Sequence, residues 1–147
     1  MKRIIFLLLT LQILLTSVCN AFEPPDPSRW LWIGKTNDKN DYWIDTQSIN
    51  YEISNLYNHD KHKQVEVWVM FHDSTNRKIA KQRSVYDLSC NQFKINSSLL
   101  FDENNTLLNS LNLSYRDFES IPPESIAERI LQTCQYFWDN DSRNTVK

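Results

Sequence analysis

Histidines, carboxylates and cysteines are the side chains of this sequence able to do chemistry, and their spacing limits what that chemistry is. His59-Asp60-Lys61-His62 sets two imidazoles beside a carboxylate, which begins a metal site. A structural site usually takes four ligands and only His72 is left to recruit, so a solvated hairpin loop explains the run better and no metal is expected. Asp38, Asp41 and Asp45 could pair as the acid and base of a hydrolase. Nothing around them signals the burial that shifts a carboxyl pKa, and turn or strand-edge roles are expected instead. No serine stands in a nucleophile elbow, no HExxH occurs, and one glycine, Gly34, cannot make a phosphate-cradling loop. The expectation is a protein with no catalytic residues and no cofactor.

The cysteines speak to compartment. Lys2 and Arg3 followed by the apolar run Ile4 to Leu15 have the make-up of a secretory signal, with cleavage expected after Ala21. The run is shorter than the roughly 20 residues a membrane-spanning helix needs. A lipidated Cys19 is the competing reading, disfavoured because Thr16 and Val18 stand where a lipobox carries leucine and a small residue. Cleavage leaves 126 of the 147 residues, enough for one domain with its own core. Losing Lys2 and Arg3 takes 16 basic residues to 14 against 18 acidic ones, and no long basic run remains to recommend a nucleic-acid partner. Cys90 and Cys134 are the two cysteines left, and in an exported chain they most simply pair as a disulfide. Closing that loop would contribute about 4 kcal/mol in the chain-entropy account.

The elements that must position these groups are legible from periodicity. Ile121 to Trp138 repeats its apolar residues Ile126, Ile130, Leu131, Cys134, Phe137 and Trp138 at three-to-four spacing, an amphipathic helix starting at Ser120 or Pro122 with Glu124 in its first turn. Ahead of it, six segments alternate as strands: Trp30 to Ile33, Asp41 to Asp45, Gln64 to Phe71, Ile79 to Cys90, Gln92 to Phe101 and Thr106 to Tyr115. In the third, Val65, Val67, Val69 and Phe71 share one face and Glu66, Trp68 and Met70 the other. Tyr86, Leu88 and Cys90 share a face of the fourth, which would bring Cys90 to Cys134 if that face receives the helix. The fold class is therefore α+β: about six antiparallel strands, one C-terminal helix on one face, one disulfide. Residues 22–29 make a proline-rich extended leader, 30–138 the domain, and 139–147 a polar tail expected to fray.

Five tryptophans exceed what one small core needs. Trp30 and Trp32 share a face, as do Trp68 and Met70; a set lying away from the helix would mark a partner or dimer surface.

The order of these features resembles the surface-adhesin protein E family of Gram-negative bacteria. The pieces that carry the resemblance are Trp30-Leu-Trp-Ile-Gly34, Tyr42-Trp-Ile-Asp-Thr-Gln-Ser-Ile49, Val65-Glu-Val-Trp-Val69, Arg83-Ser-Val-Tyr-Asp-Leu-Ser-Cys90, and Ile121-Pro-Pro-Glu-Ser-Ile126 leading to Cys134. The resemblance implies an antiparallel sheet with a C-terminal helix, a Cys90–Cys134 disulfide, and a place at the cell surface or in the periplasm. It also implies a protein partner, host extracellular matrix among the candidates, with no transmembrane segment after signal cleavage. A periplasmic module binding a small ligand or an envelope component is the alternative. A hydrolase using Asp41, Asp45 or His62 is the remoter one.

Overall fold

The computed structural model describes residues 22–55 and 61–146. The signal segment 1–21 and the His59-Asp60 half of the histidine run lie outside the described residues. Among the described residues, eight antiparallel strands form one sheet: β1 (Trp30–Lys35), β2 (Asp41–Asp45), β3 (Asn50–Asn55), β4 (Lys61–Asp73), β5 (Lys78–Asp87), β6 (Gln92–Asp102), β7 (Leu107–Asn112) and β8 (Glu119–Ser120). One helix among the described residues, α1 (Ile126–Asn140), follows.

The expected six strands form the continuous path β1-β2-β4-β5-β6-β7, and two short strands add to it. Both additions extend a long strand whose first partner is too short. β4 pairs with β2 from Val69 to His72 and with β3 from Lys61 to Glu66 along the same edge. Between them the Trp68 N–H donates to Ser48 Oγ at 3.0 Å, so the gap leaves no orphan donor there. β6 likewise takes β7 at one end and β8 at the other, with Leu113 N–H donating to Asn96 O at 2.8 Å in between.

Turns that glycine would usually make are made by aspartate. Asp73, Asp87 and Asp102 each accept two backbone N–H groups from residues two to four further on. Arg77, Asn91 and Asn105 close the same turns with positive φ. Gly34 is used where the conformation requires it: φ is +154° and β1 bulges between Trp32 and Gly34, while an added Cβ would crowd only the movable tip of Arg129, Nη1 at 2.9 Å.

The helix begins later than expected. Ser125 is its cap, its hydroxyl accepting the Glu128 N–H, and the Glu128 carboxylate reaches back to Glu124 N–H at 2.6 Å. Glu124 has φ +59°, a left-handed conformation outside any helix, and Ser120 belongs to β8. After Asn140 the tail folds back instead of fraying: Asn144 is buried, its Nδ2 donating to Trp138 O at 2.6 Å, and Val146 packs on the core.

Two apolar clusters result, one on each face. Ile44, Val65, Val67, Val69 and Tyr86 meet Ile130, Leu131, Cys134 and Trp138 beneath the helix. Trp43, Met70 and Ile79 form the second cluster on the opposite face, packed by Trp30, Phe101 and the leader residue Phe22. Cys90 and Cys134 are both free thiols, which corrects the expected disulfide. The reason is local. β5 ends at Asp87, whose Oδ1 accepts the N–H groups of Ser89 and Cys90, so Cys90 turns out of the strand alternation to an exposed position. Cys134 stays fully buried in the helix-side core, where desolvation pushes its thiol pKa up to about 12. No helix among the described residues is long and apolar enough to cross a membrane.

Candidate functional site

Strand register assembles the aromatic face. Trp32 lies opposite Trp43, Trp43 opposite Met70, Met70 opposite Lys81, and Lys81 opposite Leu99, a row running across five strands. A neighbouring row runs Asp41, His72, Ile79, Phe101, Leu107. These side chains share the face away from α1 because strand alternation sends Tyr42, Ile44, Val69 and Tyr86 to the helix.

Of the four residues singled out from the sequence, the structure places Trp30 and Met70 at one cleft and leaves Trp32 and Trp68 outside it. Met70 is only 4 % exposed, so it belongs to the cluster beneath the surface. Trp30 is half-buried, with the Arg29 guanidinium 5.8 Å from its ring centroid. Trp32 is 56 % exposed, and its indole N–H donates to Asp41 Oδ1 at 3.2 Å. Trp68 is half-buried opposite Arg83, which pairs with Glu66 at 2.9 Å.

The cleft has a volume of about 390 Å³, with Trp30, Met70 and Ile79 on the sheet side and Phe22, Glu23 and Pro25 from the leader. Lys81 and Glu103 supply opposite charges at its rim. Phe22 stacks flat on His72, ring centroids 3.9 Å apart and 8° from parallel, and sits 5.6 Å from the Trp43 ring. His72 Nε2 is buried without a hydrogen-bond partner among the described residues, 3.9 Å from Glu103 Oε1. Arg77 hydrogen-bonds Glu103 and holds its carboxyl below the ordinary range. Sequence reasoning missed Phe22, Lys81 and Glu103 because each joins the cleft from a different part of the chain.

A second cluster lies at the far end of the long strands. His62 on β4 places Nδ1 2.8 Å from Asp87 Oδ2 and 3.5 Å from Cys90 Sγ. Gln64 Nε2 also donates to Asp87 Oδ2, at 3.3 Å. Asp87 is buried, His62 half-buried and Cys90 exposed. The histidine run thus contributes His62 to a carboxylate and a thiol that sequence spacing could not connect. His72, the other candidate ligand, lies on the aromatic face under Phe22. A thiol–imidazole–carboxylate relay needs the thiol on one ring nitrogen and the carboxylate on the other. Here both address Nδ1, so the arrangement suits three donors around one centre and not a nucleophile with its base. Asp41 and Asp45 do not converge either: Asp41 pairs with Lys35 at 3.0 Å, and buried Asp45 is held by Arg29 at 2.6 Å.

In comparisons with protein-family models, with curated proteins and with solved structures, the chain matches none of them.

Proposed function

We propose that this chain is an exported, non-enzymatic binding protein of the bacterial envelope, of the kind the surface-adhesin protein E family represents, and that it takes a protein partner on the sheet face opposite α1. The observation that carries this reading is the second apolar cluster. An antiparallel sheet with one helix normally buries one face and wets the other. Here the wet face holds Trp43, Met70 and Ile79 under a single leader segment, with Trp32 exposed beside them. Tryptophan anchors of this sort dominate the energetics of protein interfaces. Against catalysis stands the arrangement of His62, Asp87 and Cys90 on one ring nitrogen.

The test combines location with binding. Protease applied to intact cells should remove the mature protein, and the purified protein should bind immobilised host matrix proteins. Trp32→Ala with Trp68→Ala should weaken that binding at least about tenfold, the scale of one interface anchor. Protection from protease until the outer membrane is opened, or binding unchanged in the double variant, would overturn the reading.

The cleft favours a second reading, a periplasmic module for a small ligand, because about 390 Å³ lies inside the usual range for such sites, about 300–1,000 Å³. Trp30, Met70, Ile79 and Phe22 make one side of it apolar while Glu23, Lys81 and Glu103 bring charges of both signs, which suits a small molecule with an apolar part and a polar, zwitterionic or hydrogen-bonding part. A compound released on denaturing protein purified from the native envelope, and lost in Lys81→Glu, would support this reading over the first.

A further inference from the structure

We propose that His62, Asp87 and Cys90 bind one divalent transition-metal ion of the zinc class, through Nδ1, Oδ2 and Sγ, with a fourth position open to solvent. The three donor atoms lie within 4.8 Å of one another. Tetrahedral zinc with bonds of about 2.1 Å to nitrogen and oxygen and about 2.3 Å to sulfur sets its ligand atoms about 3.4–3.6 Å apart. The nitrogen–sulfur separation of 3.5 Å already meets that spacing, and the nitrogen–oxygen separation of 2.8 Å must open by about half an ångström. Without an ion the ring N–H serves Asp87 Oδ2 at 2.8 Å and leaves Cys90 Sγ, at 3.5 Å, only a weak contact with the same nitrogen, whereas an ion would engage all three. A metal at the centre displaces the thiol proton to solvent, while the neutral imidazole keeps its one proton, carried on Nε2.

The surroundings hold the donors in place. Asp87 Oδ1 is engaged by the N–H groups of Ser89 and Cys90, which leaves Oδ2 to face His62. Gln64, directly across the strand pair from Asp87, steadies Oδ2 at 3.3 Å. Such outer contacts orient metal ligands and tune affinity. Thiolate, imidazole and carboxylate together select zinc, cobalt or copper over calcium or magnesium, whose sites are built from oxygen alone. Burial falls from Asp87 through His62 to Cys90, so the remaining coordination position faces outward.

Cobalt(II) added to the reduced mature protein tests the site. Tetrahedral cobalt absorption with a thiolate charge-transfer band should appear and saturate at one equivalent, and zinc should displace it. Cys90→Ser, an exposed change whose fold is checked by circular dichroism, should abolish the charge-transfer band, and Cys134→Ser should keep it. Gln64→Leu should leave the band in place and weaken affinity about 10- to 100-fold, the scale of outer-shell changes. His62→Gln should weaken it further. A reduced protein that takes up no cobalt, or a band that survives Cys90→Ser, would overturn the proposal. So would native protein two hydrogens lighter because Cys90 is joined to Cys134.

Discussion

α1 closes one face of the sheet with four buried side chains, Ile130, Leu131, Cys134 and Trp138, whereas Phe22 from the leader, beside the sheet's own Trp30 and Phe101, covers Trp43, Met70 and Ile79 on the other. The first seal is a helix with its own hydrogen bonds, a cap and a folded-back tail. The second is a strap of a few residues whose backbone pairs with no strand. Burial on the helix side is therefore tied to global unfolding, while burial on the aromatic side can be undone locally. Where the two faces differ is in how much of the fold must be disrupted to expose them. A partner that displaces the leader gains aromatic surface without unfolding the domain.

The comparison breaks most sharply on the helix side. Ile130→Ala empties a site only 2 % exposed and should cost about 2–5 kcal/mol, read as a lower denaturant midpoint at constant slope. A cost below about 1 kcal/mol would mean the helix is not the main seal. Gly34→Ala comes next. It puts a Cβ against Arg129 and forces φ +154° on a residue that resists it, for about 1–3 kcal/mol. Phe22→Ala should cost less, about 1–2 kcal/mol, the aromatic-pair contribution together with the partial burial of the ring. It should nonetheless raise binding of a hydrophobic dye more than Ile130→Ala does under native conditions, because it uncovers a ready-made apolar face. Equal dye binding by both variants would erase the proposed distinction.

This division explains what could be read in the sequence. Alternation in Val65, Val67 and Val69 and the stripe from Ile126 to Trp138 mark the helix-side core, because both sides of that contact carry strong local periods. β3 escaped notice because Asn50–Asn55 is largely exposed and polar, leaving Tyr51 and Ile53 as weak signals. β8 is two residues long and exists only by virtue of the free end of β6. The leader reads as a loose extended segment, and nothing local says that Phe22 will find His72, fifty positions later. The metal-ligating cluster was hidden for a related reason. Simple alternation carries Cys90 along the face of Tyr86, but the side chain of Asp87 stops the strand and redirects it toward His62. A polar side chain bonding its own backbone overrides the hydrophobic pattern there.

The smallest effect expected concerns how the tail is pinned. Tyr51 on β3 donates its hydroxyl to Asp141 Oδ2 at 2.7 Å, and Arg143 binds the same carboxylate and donates to Thr46 O at 2.9 Å. Arg143, and secondarily the Tyr51 hydroxyl, hold the Asp141 carboxyl well below the usual carboxylate range. A carboxyl whose folded pKa is depressed adds stability that is complete above its unfolded value, about 3.9, and is lost as pH falls below it. Burial, and then the bond to Asp141, push the Tyr51 hydroxyl pKa up, so its contribution is complete below about 10 and fades only at higher pH. Tyr51→Phe should therefore cost about 1 kcal/mol, the ordinary worth of one hydrogen bond, uniformly between about pH 5 and 9. Titration of Asp141 in the unfolded chain is common to both proteins and cancels, so their difference should hold down to about pH 3 and shrink only at still lower pH, as the carboxyl is protonated in the folded state. Thermal melts of the two proteins across that range measure the difference directly. A difference that grew on acidification would mean that the tyrosine hydroxyl is not held by a carboxylate, and that the tail is fixed by Asn144 and Val146 alone.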